Sequence, residues 1–482
     1  KEDYKNSEKL YLEIISKLPE FSECHNNLGV IYDKTNNLEK SRKCFLDSLA
    51  LEPENIKFLN NLSSIYIREG NFEEAQSNLE WTLSLEKENF LTLRLLAKYH
   101  HSNSDLKLSQ DYIEKSLSIE PNNVTSLIQY GLILFSRNFL KQANDEYLKA
   151  LDLSPNNLKV LLSLGHFYTI TNSTELAIKY LNEAIKIDPG NSFSKNLLAG
   201  IYKTNSDYNK AKELYLDSKE LNWEENVLEC LYLDEKIDDF EKFYLTHSDN
   251  LTDSRTVSAL ITHANLCLDK NYNHTFCNDP LSYIKAIKCN DVINDINTFN
   301  NDLVNEITNY SYEIKKQTFI KNGIQSLGNL FALEIDIFKK LEKMILENYY
   351  DYFSSFNQSK DIFINKYPKN PKLMGWFVKI SKNGFIEPHN HVGSWLSGVY
   401  YLDCLESNSD EGSIEFSLSK NSFPFKEKNL PYKIIRPEKS LLVLFPSQLF
   451  HRSIPFNKNF ERICIAFDFL PQPNTGIYNN EG

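Results

Sequence analysis

Along the first half of the chain, apolar residues recur at three- and four-residue intervals in segments of about a dozen residues, each followed by a short polar turn, a pattern that predicts amphipathic helices. The segments come in pairs. A proline closes a pair at Pro19, Pro53, Pro121, Pro155 and Pro189, giving spacings of 34, 68, 34 and 34 residues. The skipped position, 87, is lysine in SLEKEN, which aligns with SIEPNN and DLSPNN, so the 34-residue period runs without insertion. Six units begin at Ser22, Ile56, Phe90, Val124, Leu158 and Ser192. Their eighth position is small (Gly29, Ser63, Ala97, Gly131, Gly165, Ala199), and so is their twentieth (Ser41, Ala75, Ser109, Ala143, Ala177, Ala211). The twenty-fourth is large (Phe45, Leu79, Ile113, Tyr147, Leu181, Tyr215), and the eleventh is mostly aromatic. Small residues opposite one another let two antiparallel helices approach closely, and the large residue fills the gap beside them.

This pattern resembles the tetratricopeptide repeat, a helix-turn-helix unit of the same length with small, aromatic and terminal proline positions in the same places. Residues before Pro19 read as the second helix of a further, partial repeat. The resemblance implies a solenoid whose groove binds a protein or peptide partner; a spacer or dimerisation arm is the plainer reading of the same helices.

Beyond the repeats the pattern changes twice. From Glu224 to about Asn300 the register is lost, no glycine occurs, and helical spacing persists, as in VLECLYLDEKIDDFEKFYL. After Pro371 come short β-type runs separated by turns: GWFVKI, WLSGVYYL, GSIEFSL, YKIIRP, SLLVLFP and RICIAFDFL. The expected architecture is α+β and multidomain: a helical solenoid over residues 1–223, a helical connector over 224–300, a jelly roll (double-stranded β-helix, cupin-like) with flanking helices over 301–475, and a tail over 476–482. At the entry to the jelly roll a polar cluster, Thr318, Asn322, Gln325 and Ser326, reads as loop or as the lip of a substrate mouth.

Composition narrows the function. The chain has 482 residues, with 53 Lys+Arg against 65 Asp+Glu and a net charge of −12, and no long basic run, which argues against a nucleic-acid or anionic-membrane partner. No apolar stretch approaches a bilayer span, and the amphipathic, charged start differs from a signal peptide, so a cytoplasmic protein is expected. The first residue is lysine, so the chain is expected to begin inside a longer one. The 8 cysteines show no CxxC spacing and read as reduced thiols; Cys267, His274, Cys277 and Cys289 fit no common zinc spacing. Nucleotide-loop and nucleophile-elbow motifs are absent.

After His274 three histidines remain, and all fall at strand edges: His389 and His391 in EPHNHVGSWLSGVYYL, and His451 after LLVLFPSQLF. Two histidines at i and i+2 beside a strand, with a third from a distant strand, can form a facial set on one metal ion. Arg462 starts the last strand, where alternation groups it with Cys464, Ala466 and Asp468 on a small and polar face; a guanidinium there can take a carboxylate bidentately.

Residues from about Thr318 to Pro471 resemble the iron(II) and 2-oxoglutarate-dependent oxygenases, in particular a bacterial and phage branch in which HxH precedes SGVYYL and LFPS precedes the distal histidine. The resemblance implies iron held by His389, His391 and His451, with His391 where Asp or Glu is usual. It also implies 2-oxoglutarate anchored by Arg462 and contacted by Tyr400, with O2 as oxidant. Other registers stay open: His391 as first ligand with Gly393 in the carboxylate place, or iron on His389 and His451 alone with His391 facing substrate. Trp376, Trp395 and Phe450 read first as core and second as pocket wall, and Lys379 as a solvated lysine. The implied activity is a hydroxylase whose substrate, a protein or peptide, is recruited by the repeats. The alternatives are a scaffold with a vestigial barrel and a three-His dioxygenase that does not use 2-oxoglutarate.

Overall fold

The computed structural model describes residues 2–471 other than 104, 290–294, 310, 311, 313, 316, 318, 327, 334, 406–408 and 427. Two compact units partition the chain, with the division between Ser194 and Lys195.

In the first unit, α1 (Glu2–Lys17) precedes the pairs α2 (Ser22–Lys34) and α3 (Leu38–Leu51), α4 (Ile56–Glu69) and α5 (Phe72–Leu85), and α6 (Phe90–Ser102) and α7 (Leu106–Ile119). The pairs α8 (Val124–Ser136) and α9 (Leu140–Leu153), and α10 (Leu158–Ile170) and α11 (Thr174–Ile187), continue the series. The 34-residue pattern acts as expected. A Cβ on Gly131 would sit 2.6 Å from the Tyr147 ring, so only glycine admits that ring between α8 and α9. Where the twentieth position is serine it also ties the pair: Ser41 Oγ donates to Gly29 O at 2.8 Å, and Ser109 Oγ to Ala97 O at 2.7 Å. The asparagines that close each period are helix caps. Asn55, Asn89, Asn123 and Asn157 each accept from a backbone N–H of the following helix, which satisfies a donor the helix itself leaves free.

The helix α12 (Ser192–Thr204) starts the sixth repeat and runs into the second unit, where α13 (Tyr208–Ser218), α14 (Trp223–Leu233), α15 (Ile237–His247) and α16 (Arg255–Leu268) follow. The segment read as a helical connector also supplies a strand, β1 (Lys285–Lys288), and helix α17 (Ile296–Asn309) starts inside it. Next come β2 (Ile314–Lys315), β3 (Ile320–Ser326), α18 (Asp336–Ser354), α19 (Ile362–Asn365), β4 (Lys372–Ile386) and β5 (Leu396–Asp403). The remaining strands are β6 (Ile414–Ser417), β7 (Tyr432–Ile435), β8 (Leu441–Pro446), β9 (Phe450–Ser453) and β10 (Arg462–Leu470).

These strands make a seven-stranded sheet in the order β1-β8-β5-β10-β4-β3-β2 and a three-stranded sheet, β7-β6-β9, every pairing being antiparallel. Both sheets contribute to one apolar layer, in which Val378, Tyr401, Val443 and Cys464 of the large sheet join Ile414 and Phe416 of the small one. The arrangement fits a β-sandwich of jelly-roll type. The outer face of the large sheet is covered by α17 and α18, through Leu303, Phe338, Leu341 and Tyr349 against Tyr400, Leu442, Ile465 and Phe467. Strands β5 and β8 are therefore buried on both faces, which is why LSGVYYL and LLVLFP read as continuous apolar runs rather than alternating ones.

Helices α13 to α16 do not stand apart from the barrel. Tyr215, Leu228, Tyr232, Leu260 and Ala264 form a single apolar cluster with Phe423 of a barrel loop and Phe450 at the start of β9. Glu229 of α14, 7% exposed, accepts from Lys203 Nζ at 2.7 Å and from Lys420 Nζ at 2.6 Å, so a buried carboxylate has a cation on the helical side and another on the barrel side. Among the described residues no helix is long and apolar enough to cross a membrane.

Candidate metal centre

The strand β4 ends at Ile386, and the turn that follows carries His389 and His391. His389 and His451 exchange backbone hydrogen bonds, N to O at 3.1 and 2.8 Å, which fixes the first histidine beside the third. A further bond, His391 N to Ser447 O at 2.8 Å, fixes the second. The ring centroids then lie 4.3 Å (His389 to His451), 5.0 Å (His389 to His391) and 5.2 Å (His391 to His451) apart. One nitrogen from each ring comes within 4.8 Å of the others, and this is the one such group of three metal-capable side chains found among the described residues. The cysteines Cys267, Cys277 and Cys289 and His274 are not gathered in that way.

Each ring has its Nδ1 engaged: His389 with Glu387 O at 2.9 Å, His391 with Asp468 Oδ2 at 2.8 Å, and His451 with Leu449 O at 3.2 Å. All three partners are acceptors, so each Nδ1 carries the proton and each Nε2 keeps its lone pair. His391 Nε2 is buried and has no hydrogen-bond partner. Three lone pairs aimed into one space, each held by a hydrogen bond on the far side of its ring, are what a divalent cation with nitrogen ligands requires. The residues present fit the metal.

Electrostatics agree with the geometry. Burial, with the neighbouring His391, pushes His389 down to about 4, and burial with both other histidines holds His451 well below its usual value. For His391 burial also pushes downward, but the charge and hydrogen bond of Asp468 outweigh it and its pKa is raised. Asp468 is 8% exposed and also accepts from Ser397 Oγ at 2.6 Å. Sequence alternation placed Asp468 on the polar face of the last strand; that it reaches His391 depends on how β5 and β10 pair.

The histidines line a cavity of about 290 Å³, together with Phe319, Gln325, Trp376, Tyr401, Phe445 and Arg462. Trp376 stacks parallel to His391 at 6.0 Å and Phe319 lies 4.8 Å from His389, so both wall the site. Trp395 and Phe450 do not: Trp395 packs in the core under α18 with Nε1 donating to Phe363 O at 2.9 Å, and Phe450 packs against the helices. Of the polar cluster at the barrel entry, Gln325 lines the cavity, Ser326 Oγ accepts from Phe377 N at 3.1 Å, Asn322 takes a left-handed φ of 46° at a bulge within β3, and Thr318 lies outside the described residues. Lys379 is not among the cavity residues.

Arg462 lies inside the cavity, 3% exposed. Its Nη1 donates to Gly412 O at 2.8 Å, and its buried Nε has no partner. Among the described residues no carboxylate pairs with it. A buried guanidinium with unfilled donors facing a cavity calls for an anion.

Tyr400 corrects the sequence expectation. Its hydroxyl donates to Asn300 Oδ1 of α17 at 2.7 Å, and its ring lies in the core beneath the helices, away from the histidines. In β5 it is Tyr401 that faces the cavity. Directly opposed residues of antiparallel strands share a face, and the register pairs Tyr401 with Cys464 but Tyr400 with Ile465. This register runs unbroken from Phe469–Leu396 to Cys464–Tyr401, and a shift of one residue would exchange the two faces. Tyr401 lies close enough to Arg462 to feel its charge, although burial dominates and raises the phenol above its ordinary value.

The helical repeats and the jelly roll with its histidine cluster agree with what family comparison finds: tetratricopeptide repeats and a segment similar to a family of putative 2-oxoglutarate/iron oxygenases. Residues 374–468 match the family described as "Putative 2OG-Fe(II) oxygenase", and residues 22–55, 56–89 and 158–191 match tetratricopeptide repeat families. No curated protein matches the chain. Among solved structures, the chain is similar to one from the APC/C hetero-tetramer Cut9-Hcn1, at 17% identity and a TM-score of 0.42, over 47% of this chain and 46% of that one. It is also similar to Pseudomonas aeruginosa PilF, at 17% identity and a TM-score of 0.34, over 42% and 91% of the two chains. A tetratricopeptide repeat protein from Parabacteroides merdae gives 15% identity and a TM-score of 0.39, over 50% and 93%.

Proposed function

We propose that the chain is an iron(II)- and 2-oxoglutarate-dependent dioxygenase, a hydroxylase whose substrate is a protein or peptide recruited by the tetratricopeptide repeats. The observation that carries this reading is the pairing, in one cavity, of three Nε2 lone pairs with a buried guanidinium whose Nε has no partner. His389, His391 and His451 would hold iron, and Arg462, with Tyr401 beside it, would bind the far carboxylate of 2-oxoglutarate. Iron and 2-oxoglutarate supply the O2-activating chemistry when bound.

The protein's part is positional. The Nδ1 hydrogen bonds hold each imidazole in the tautomer that leaves Nε2 free, Trp376, Phe319 and Phe445 keep water from the space between the rings, and Arg462 sets the orientation of the dianion. A cavity of about 290 Å³ leaves little volume beyond a five-carbon diacid, which favours a substrate that inserts one side chain from a larger molecule. Repeats of this kind generally mediate protein–protein contact, which agrees with a protein substrate.

The test is succinate formation from 2-oxoglutarate by the iron-loaded chain under air. His451→Ala and Arg462→Ala should each abolish it, and undiminished turnover in either variant refutes the assignment. Oxygen uptake that ignores 2-oxoglutarate would identify a three-His dioxygenase, and failure to develop a 2-oxoglutarate-dependent visible band with iron would identify a scaffold.

A further inference from the structure

Helix α16 lies outside the segment that matches the oxygenase family, yet it touches the turn that carries His389 and His391 and the turn that leads into His451 on β9. In its first turn Arg255 donates from Nε to Val392 O at 2.6 Å, one residue past His391, and its guanidinium lies 5.7 Å from the ring centroid of Trp395. One turn further on, Ser258 Oγ accepts from Gln448 Nε2 at 2.9 Å, three residues before His451, and faces Cys277 O at 3.3 Å. The two histidine turns are also tied to each other: Asn390 Nδ2 donates to Gln448 O at 3.1 Å, and Ser447 Oγ donates to Ser394 O.

We propose that Arg255 and Ser258 make α16 a positioning element for the metal ligands, so that the metal-binding unit of this chain extends back at least to residue 255. The inference rests on reading the three histidines as metal ligands. His389 and His391 lie on a turn, and turns are the mobile part of a β-sandwich, whereas a metal site needs its ligands held to about half an ångström. The hydrogen bond to Val392 O is charge-assisted and comes from a side chain that also lies against an indole, so Arg255 fixes the backbone next to His391 in two directions. Ser258 does the same for the 447–449 turn before His451 through Gln448, whose own backbone carbonyl is held by Asn390. Lysine at 255 keeps the charge but has no planar fork to point at a carbonyl while packing on Trp395.

The full-length chain and its Arg255→Ala and Ser258→Ala variants would be titrated with Co(II), with thermal unfolding of the metal-free proteins measured alongside. Arg255→Ala should weaken Co(II) binding about tenfold or more and alter the visible bands of the bound ion; Ser258→Ala should weaken it less. Asn265→Ala is the control. On the same helix, Asn265 pairs with the Tyr272 backbone N and O at 2.7 and 3.1 Å, so its loss loosens α16 without touching either turn. That variant should unfold at lower temperature with Co(II) affinity unchanged. Wild-type affinity and spectrum in Arg255→Ala, or an equal affinity loss in Asn265→Ala, would overturn the proposal. Should Arg255→Ala fail to fold, Arg255→Lys carries the same expectation and the same refutation. A wild-type chain that takes up no Co(II) would overturn the metal reading itself, and this inference with it.

Discussion

Replacing Asp468 by Asn removes one oxygen's charge and little else, and its effect follows from contacts already described. The carboxylate accepts from His391 Nδ1 at 2.8 Å and from Ser397 Oγ at 2.6 Å, and it is 8% exposed, so water cannot take its place. The asparagine amide has two ways to sit. With its oxygen toward His391 the tautomer survives but the charge is lost, and a hydrogen bond to a charged group is worth about 1.5–3 kcal/mol against about 1 kcal/mol for a neutral one. With its nitrogen toward His391 the ring must protonate at Nε2, and the ligand lone pair disappears. The milder outcome alone amounts to about 1–2 kcal/mol, or roughly 5- to 30-fold in metal affinity, within the range of about 10–100 found for outer partners of metal-bound histidines. Co(II) titration monitored by visible absorption reads the affinity directly, and competition with a chelator of known strength extends its range. Ser397→Ala supplies an internal scale: it frees one lone pair of Asp468 but leaves the charge, so its effect should be the smaller of the two. An affinity in Asp468→Asn within about twofold of wild type would refute the argument that this carboxylate sets the basicity of His391.

Two further outcomes follow from the same structure. Tyr401→Phe should raise the KM for 2-oxoglutarate about fivefold, the equivalent of one ordinary hydrogen bond, while Tyr400→Phe should leave that KM unchanged and lower stability by about 1 kcal/mol by unpairing Asn300; the opposite pattern in initial rates would restore Tyr400 to the site. Burial pushes Glu229 upward, but Lys203 and Lys420 outweigh it and hold the carboxyl down to about 2, so its contribution, on the order of 3 kcal/mol, is complete above the ordinary glutamate pKa and is lost as pH falls from about 4.5 toward 2. Urea unfolding of wild type and Glu229→Gln should therefore differ by that order at pH 7, narrow to about 1 kcal/mol or less by about pH 2.5 and converge only below about pH 2, and a gap independent of pH would show that the pair does not act as described.

The repeats were legible because their information is local and periodic: Gly131 against Tyr147 is a packing rule that recurs every 34 residues, and one chain repeats it six times. The three histidines and Arg462 were legible for a different reason, namely that few residue types do this chemistry and these stand at strand edges. What was lost depended on phase and on distance. The register of β5 on β10 decides whether Tyr400 or Tyr401 looks inward, and consecutive tyrosines carry no trace of it. The strand KAIK, four residues with two charges, falls in a segment whose texture is helical. Arg255 meets Val392 across 137 residues of sequence, so no local pattern could connect them.

The position of Asp468 also bears on how a histidine could serve at the place where the resemblance to 2-oxoglutarate oxygenases implies Asp or Glu. An aspartate in place of His391 would put its charge directly on the metal. Here the carboxylate stands behind the imidazole, bonded through Nδ1, so the negative charge is moved one ring away rather than deleted. Its field still reaches the site: without metal it is enough to raise the pKa of a histidine that burial would otherwise depress. On the proposed reading, a divalent ion takes the place of that proton at the centre, while Arg462 waits unpaired in the same cavity, so the Asp468 charge alone cannot balance the site. On that reading, a dianion held by Arg462 would offset the remaining positive charge. A three-histidine site of this kind would make the chain more dependent on the charge of a 2-oxoglutarate co-substrate than a site with a carboxylate ligand, and a monoanionic analogue that keeps only one carboxylate should then lose more affinity than simple loss of the Arg462 contact explains.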